Sequence, residues 1–157
     1  MSEIDAILGQ LEGSSKNAIQ FGFWTGLRTS ELLGLRWENV SLEEGTAVIK
    51  EAPVHGKMKQ AKTKAGEYKI TLHEEALFAA KAQLAIRTES PFVFHDPKSL
   101  KQWASDQPFW KRVWIPAFIS VKVKYHECYQ MRHTFASRIL SDNRNPVWLA
   151  SHMGHTD

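Results

Sequence analysis

Apolar residues recur at helical spacing from the start of the chain. Ile4, Ile7, Leu8 and Leu11 share one face, and Gly13-Ser14-Ser15 interrupts the pattern before a second run through Ala18, Ile19, Phe21 and Phe23. Two helices are therefore expected. Gly26 can adopt the left-handed conformation that stops a helix. A third helix is expected to begin at Thr29 or Ser30, either of which can cap it, with Glu31 in its first turn and Leu32, Leu33 and Leu35 behind. Arg28 falls in the corner between the second and third helices.

From Gly45 the period shortens. Residues 46–50 and 68–72 read as extended segments of a small antiparallel sheet, with the lysine-rich stretch 57–64 between them. Helical spacing returns over 73–87, followed by a short apolar piece at 91–94 and a polar, proline-marked connection. Further helices are expected over 99–104, 107–119, 129–141 and 146–152, the last opened by Asn145-Pro146 and closed by Gly154. The expected fold is α+β, a mostly α-helical domain with a small three-stranded antiparallel sheet.

Composition narrows the class without changing this reading. A chain of 157 residues fits one domain with a substantial core, and no apolar run approaches the ~18 residues of a membrane span. Acidic residues near the N-terminus argue against a targeting signal, and the lone Cys128 cannot form an internal disulfide, so a cytoplasmic setting is expected. The net charge of +3 conceals a lopsided distribution. Residues 1–45 hold three Lys/Arg against seven Asp/Glu, whereas residues 50–69 hold six Lys against two Glu. Lysines also dress ordinary exposed strands, but a basic segment of this density suits an anionic partner.

Three stretches carry candidate chemistry. In residues 25–37, TGLRTSELLGLRW, Arg28 sits in a glycine-formed corner backed by a leucine-rich helix. A guanidinium held there could donate paired hydrogen bonds to phosphate oxygens and would not titrate away. Alternatively, Arg28 could serve only to cap a helix or pair with Glu31. In 129–138, YQMRHTFASR, Tyr129 and Arg132 are three apart and share a helical face. In 149–155, LASHMGH, His155 stands just past a glycine at a helix end.

Taken in this order, the stretches resemble the tyrosine recombinases of the phage-integrase family. Thr25–Leu32 matches that family's first arginine motif, Tyr129–Ala136 its H-x-L-R-H-T-F-A box, and Met153-Gly154-His155 its L-G-H box. The 104 positions from Arg28 to Arg132 also look like that family's catalytic domain, and the resemblance covers nearly the whole chain. It implies an integrase-like catalytic core that recombines DNA at specific sites, integrating or excising a mobile element through a 3′-phosphotyrosyl intermediate. Arg28 and Arg132 would clamp the phosphate and His155 would hydrogen-bond to it. Lys62, in a K-T context, would protonate the leaving oxygen, with Lys57, Lys59 and Lys64 as alternatives for that role and as DNA contacts. Glu31 would orient the arginine corner, or act only as a first-turn partner of the helix dipole.

The resemblance has two departures. Tyr129 stands where most members have histidine, and with an unperturbed pKa of ~10 a phenol suits phosphate contact better than general-base work. The tyrosines of the chain are Tyr68, Tyr125 and Tyr129, all before His155, so the chain is expected to stop short of the nucleophile and to be inactive alone. The resemblance further implies double-stranded DNA as partner, a tetramer on DNA when full length with room for an accessory DNA-bending protein, an N-terminal core-binding domain outside this chain, and no metal or nucleotide cofactor. A degenerate, non-catalytic DNA-binding remnant is the alternative. A zinc site built from His126, Cys128, His133, His152 and His155 has the wrong spacing and lacks a C-x-x-C partner.

Overall fold

The computed structural model describes residues 3–54, 57–60 and 67–120. Helix α1 (Glu3–Leu8) leads into α2 (Gly13–Thr25), which starts directly at the glycine-serine break, since Gly13 takes a positive φ of 60°. Gly26 ends α2 with φ 72° and donates its N–H to the Gly22 carbonyl, the left-handed stop expected from the sequence. Helix α3 (Thr29–Leu33) follows after three residues, Gly26, Leu27 and Arg28. Its N-cap is Arg28, so neither Thr29 nor Ser30 caps it. The Glu31 carboxylate, at the third position of the helix, reaches back and accepts the Arg28 N–H.

A 3-10 turn at Trp37–Asn39 leads to β1 (Val40–Ser41), then β2 (Thr46–Ile49), β3 (Glu51–Val54), β4 (Lys57–Gln60) and β5 (Tyr68–Thr71). The three-stranded sheet runs β1-β2-β5 and is antiparallel throughout, with Ala47 opposite Ile70 and Ile49 opposite Tyr68. A separate two-stranded ribbon pairs β3 with β4, setting Ala52 opposite Lys59 and Val54 opposite Lys57. Helix α4 (Glu74–Ala85) packs on α2. The piece at 91–94 pairs with the chain after α3: the Val93 N–H donates to the Leu35 carbonyl and the Trp37 N–H to the Pro91 carbonyl.

Helix 99–104 does not form. The Asp96 carboxylate takes the Lys98 N–H, the Ser99 hydroxyl takes the Lys101 N–H, and Leu100 lies at φ 62°, so local side-chain bonds fold the segment into turns instead. Arg112 locks this loop with two 2.7 Å bonds to Asp96 while its guanidinium lies 4.7 Å from the Trp103 ring centroid. That guanidinium also holds the Asp96 carboxyl below its ordinary range. The helix expected over 107–119 is built as α5 (Asp106–Phe109), a π-helical turn at Trp110–Trp114, and α6 (Ile115–Ser120). The helices expected over 129–141 and 146–152 lie outside the described residues.

The core joins the six described helices to β2 and β5. Ile19, Phe21, Leu32 and Leu33 meet Ala47, Ile70, Ala76, Ala80, Phe94 and Trp114, with Phe21 against Phe94 at 5.3 Å and Phe23 against Trp114 at 5.6 Å between ring centroids. One polar cluster is buried beside it. Asn17 Nδ2 donates to Gln83 Oε1 (2.9 Å), Gln83 Nε2 donates to Ser14 Oγ (3.1 Å) and lies 3.3 Å from His95 Nδ1, and Ser14 Oγ donates to the His95 carbonyl (2.9 Å). Because an amide NH2 can only donate, His95 Nδ1 must accept, which makes the ring the neutral tautomer with its proton on Nε2.

Burial pulls His95 below its ordinary pKa of 6.5, with the neighbouring Asp96 carboxylate opposing. The unfolded chain therefore takes up this proton more readily than the native one. The stability tied to neutral His95 is complete above the unfolded pKa and drains as pH falls below it. In urea melts, the stability difference between the native chain and His95→Gln is expected to shrink from about pH 8 to about pH 5.5. A difference that stays constant over that range would contradict this role for the ring.

Candidate active site

The corner that presents Arg28 is fixed from four directions. The Thr25 hydroxyl donates to the Phe21 carbonyl at 2.8 Å and accepts the Leu27 N–H at 3.4 Å, closing the end of α2. Gly26 turns the chain through the left-handed region, where a Cβ would cost about 1–2 kcal/mol. Leu27 is buried in the core. The Arg28 N–H then donates to Glu31 Oε1 at 2.9 Å. With residue 27 buried and residue 29 buried at the start of α3, the Arg28 side chain is left exposed to solvent.

Glu31 is buried, 8% exposed, and both of its carboxylate oxygens accept hydrogen bonds. Oε1 takes the Arg28 amide and Oε2 takes the Tyr68 hydroxyl at 3.0 Å. A carboxylate withdrawn from water needs such donors, because an unpaired one would be costly. Tyr68 comes from β5, and its ring packs against the core. The pattern of the sequence placed Tyr68 on a strand but carried no sign of its link to Glu31, which spans 37 residues.

Helix α3 lies beside β3, so the β3–β4 ribbon rises next to the helix that Arg28 opens. Lys57 and Lys59 belong to β4, within that ribbon. The structure thus joins Arg28, Glu31 and Tyr68, and sets β3, the strand paired with the lysine-bearing β4, beside α3. Lys62, Lys64, Tyr129, Arg132 and His155 lie outside the described residues. Among the described residues, no group of three or more His, Cys, Asp or Glu is placed to hold a metal ion, and no helix is long and apolar enough to cross a membrane.

Comparison with known proteins identifies the family and the fold. The model of the phage integrase family matches residues 1–157. The prophage integrase IntR of Escherichia coli is 29% identical over 177 residues, covering 98% of this chain and 43% of the relative. The tyrosine recombinase XerD of Shewanella oneidensis is 29% identical over 165 residues, covering 99% of this chain and 52% of the relative. The chain thus spans about half the length of the curated relatives it matches. The integrase of transposon Tn1549, solved in complex with circular intermediate DNA, superposes with a TM-score of 0.80 at 23% identity over 98% of this chain and 57% of that one, which shows a shared fold. The match of the family model over all 157 residues, together with the fold, establishes that the chain belongs to the phage integrase family.

Proposed function

We propose that this chain is the catalytic domain of a tyrosine-type site-specific recombinase that integrates or excises a mobile element. The observation that carries the reading is the Arg28 corner, an exposed arginine on a rigid, carboxylate-braced turn inside a match to the family over its full length. The solved DNA complex of the Tn1549 integrase, which shares the fold, supports double-stranded DNA as the partner.

In the proposed reaction a tyrosine oxygen attacks a backbone phosphorus, forming the O–P bond of a 3′-phosphotyrosyl link while the bond to the 5′-oxygen breaks. Lys62 donates the proton that the leaving 5′-hydroxyl needs. Arg28 and Arg132 neutralise charge growing on the non-bridging oxygens, and His155 and Tyr129 hydrogen-bond to the same phosphate. Lys57, Lys59 and Lys64 hold the flanking DNA backbone. A 5′-hydroxyl from the partner strand then reverses the attack, so the phosphodiester energy is kept and neither metal nor nucleotide is consumed. The working assembly is a tetramer on paired duplexes in the bacterial cytoplasm, open to help from a DNA-bending protein.

The test is end chemistry. The gene's full product, given a nicked duplex that spans the joined ends of the element, is expected to form a covalent 3′ adduct and release a free 5′-hydroxyl in the presence of a chelator. Cleavage that needs a divalent metal, or that leaves 5′-phosphate ends, would contradict the reading.

A further inference from the structure

We infer that Tyr68 is a positioning residue for Arg28: its hydroxyl fixes the Glu31 carboxylate that in turn fixes the Arg28 backbone. The inference rests on the proposed phosphate-binding role of Arg28. The chain of contacts is short and directional. Tyr68 Oη donates to Glu31 Oε2 at 3.0 Å, and Glu31 Oε1 accepts the Arg28 N–H at 2.9 Å. That N–H belongs to the N-cap of α3, where Arg28 sits at φ −65° and ψ 150°. Those angles set the direction in which the guanidinium leaves the corner, so a carboxylate free to change rotamer would loosen the arginine without unfolding the helix.

Tyr68 is well placed to hold that carboxylate still. Its ring packs on the core, and β5 is held in register by β2, with Tyr68 opposite Ile49. The hydroxyl therefore extends from a rigid element. Tyr68 also lies four residues after Lys64 and six after Lys62 in sequence, so a single hydroxyl joins the arginine corner to the strand that receives the lysine-rich segment. Phenylalanine at 68 would keep the ring and remove the hydroxyl that bonds Glu31.

A purely structural role, in which Tyr68 merely satisfies a buried carboxylate, would alter stability and leave the DNA contact of Arg28 as it was. A double-mutant cycle on the 157-residue chain separates the two, with a fluorescent random-sequence duplex as probe and affinity measured across salt concentrations. Arg28→Ala is expected to weaken binding several-fold and to lower the slope of log affinity against log salt by about 0.9, the value of one lost phosphate contact. Tyr68→Phe is expected to weaken binding about two- to fivefold and lower the slope in part. Adding Tyr68→Phe to Arg28→Ala is expected to cost nothing further, because both act through the same contact. Thermal melts of each variant confirm that the fold is retained.

If Arg28→Ala leaves the slope unchanged, Arg28 is not at a phosphate, and the inference falls with the reading beneath it. If Arg28→Ala lowers the slope while Tyr68→Phe is silent, or adds its full effect to that of Arg28→Ala, Arg28 keeps its role and Tyr68 loses the one inferred here.

Discussion

Arg28→Ala is expected to lower the rate of strand cleavage by the gene's full product about 10²–10³-fold, the usual effect of removing one donor that faces developing transition-state charge. The fold should survive the change, since the Arg28 side chain is exposed and the corner is held by the Thr25 hydroxyl, buried Leu27 and the Glu31 bond to the backbone N–H of residue 28, which alanine retains. Arg28→Lys should recover only part of the rate. A lysine restores the charge but not two parallel hydrogen bonds from a planar group. Single-turnover cleavage measured beside a thermal melt checks both halves, and a rate loss explained by unfolding would remove Arg28 from the clamp.

Lys62→Ala is expected to slow cleavage about 10²–10⁴-fold, the range for loss of a general acid, while DNA affinity changes little. The same substitution at Lys64 or Lys59 should do the reverse, weakening binding mildly and sparing cleavage, because each removes one backbone contact among several. A duplex with a 5′-thiol leaving group needs little protonation and should restore the Lys62→Ala rate. Failure of that substrate to rescue would reassign Lys62 to holding DNA.

Where local signals were strong, the sequence was a good guide. Gly26 was legible as a left-handed stop because only glycine adopts φ 72° without strain, and that stop located the Arg28 corner. The strands at 46–50 and 68–72 were legible from alternation and appear as Thr46–Ile49 and Tyr68–Thr71. The errors came where a side chain competed with the backbone or the partner was distant. Thr29 and Ser30 looked like caps because hydroxyls usually are, yet the cap position falls one residue earlier on Arg28, whose N–H is taken by Glu31 three residues on. Residues 99–104 looked helical, but Asp96 and Ser99 divert the backbone N–H groups of Lys98 and Lys101 into turns. Nothing local foretold that Gln83, on an otherwise alanine-lined face of α4, would be fully buried against Asn17, Ser14 and His95. Tyr68 was missed for the same reason: its function-bearing contact is with a helix 37 residues away.

The most direct test of the clamp replaces the scissile phosphate by a methylphosphonate, which exchanges one charged oxygen for a methyl group and leaves less negative charge for an arginine to neutralise. The rate ratio between the native protein and Arg28→Ala is then measured on both substrates. The ratio is expected to fall from about 10²–10³ on phosphate to within about tenfold on methylphosphonate. A ratio that is the same on both substrates would contradict a role for Arg28 in neutralising the phosphate.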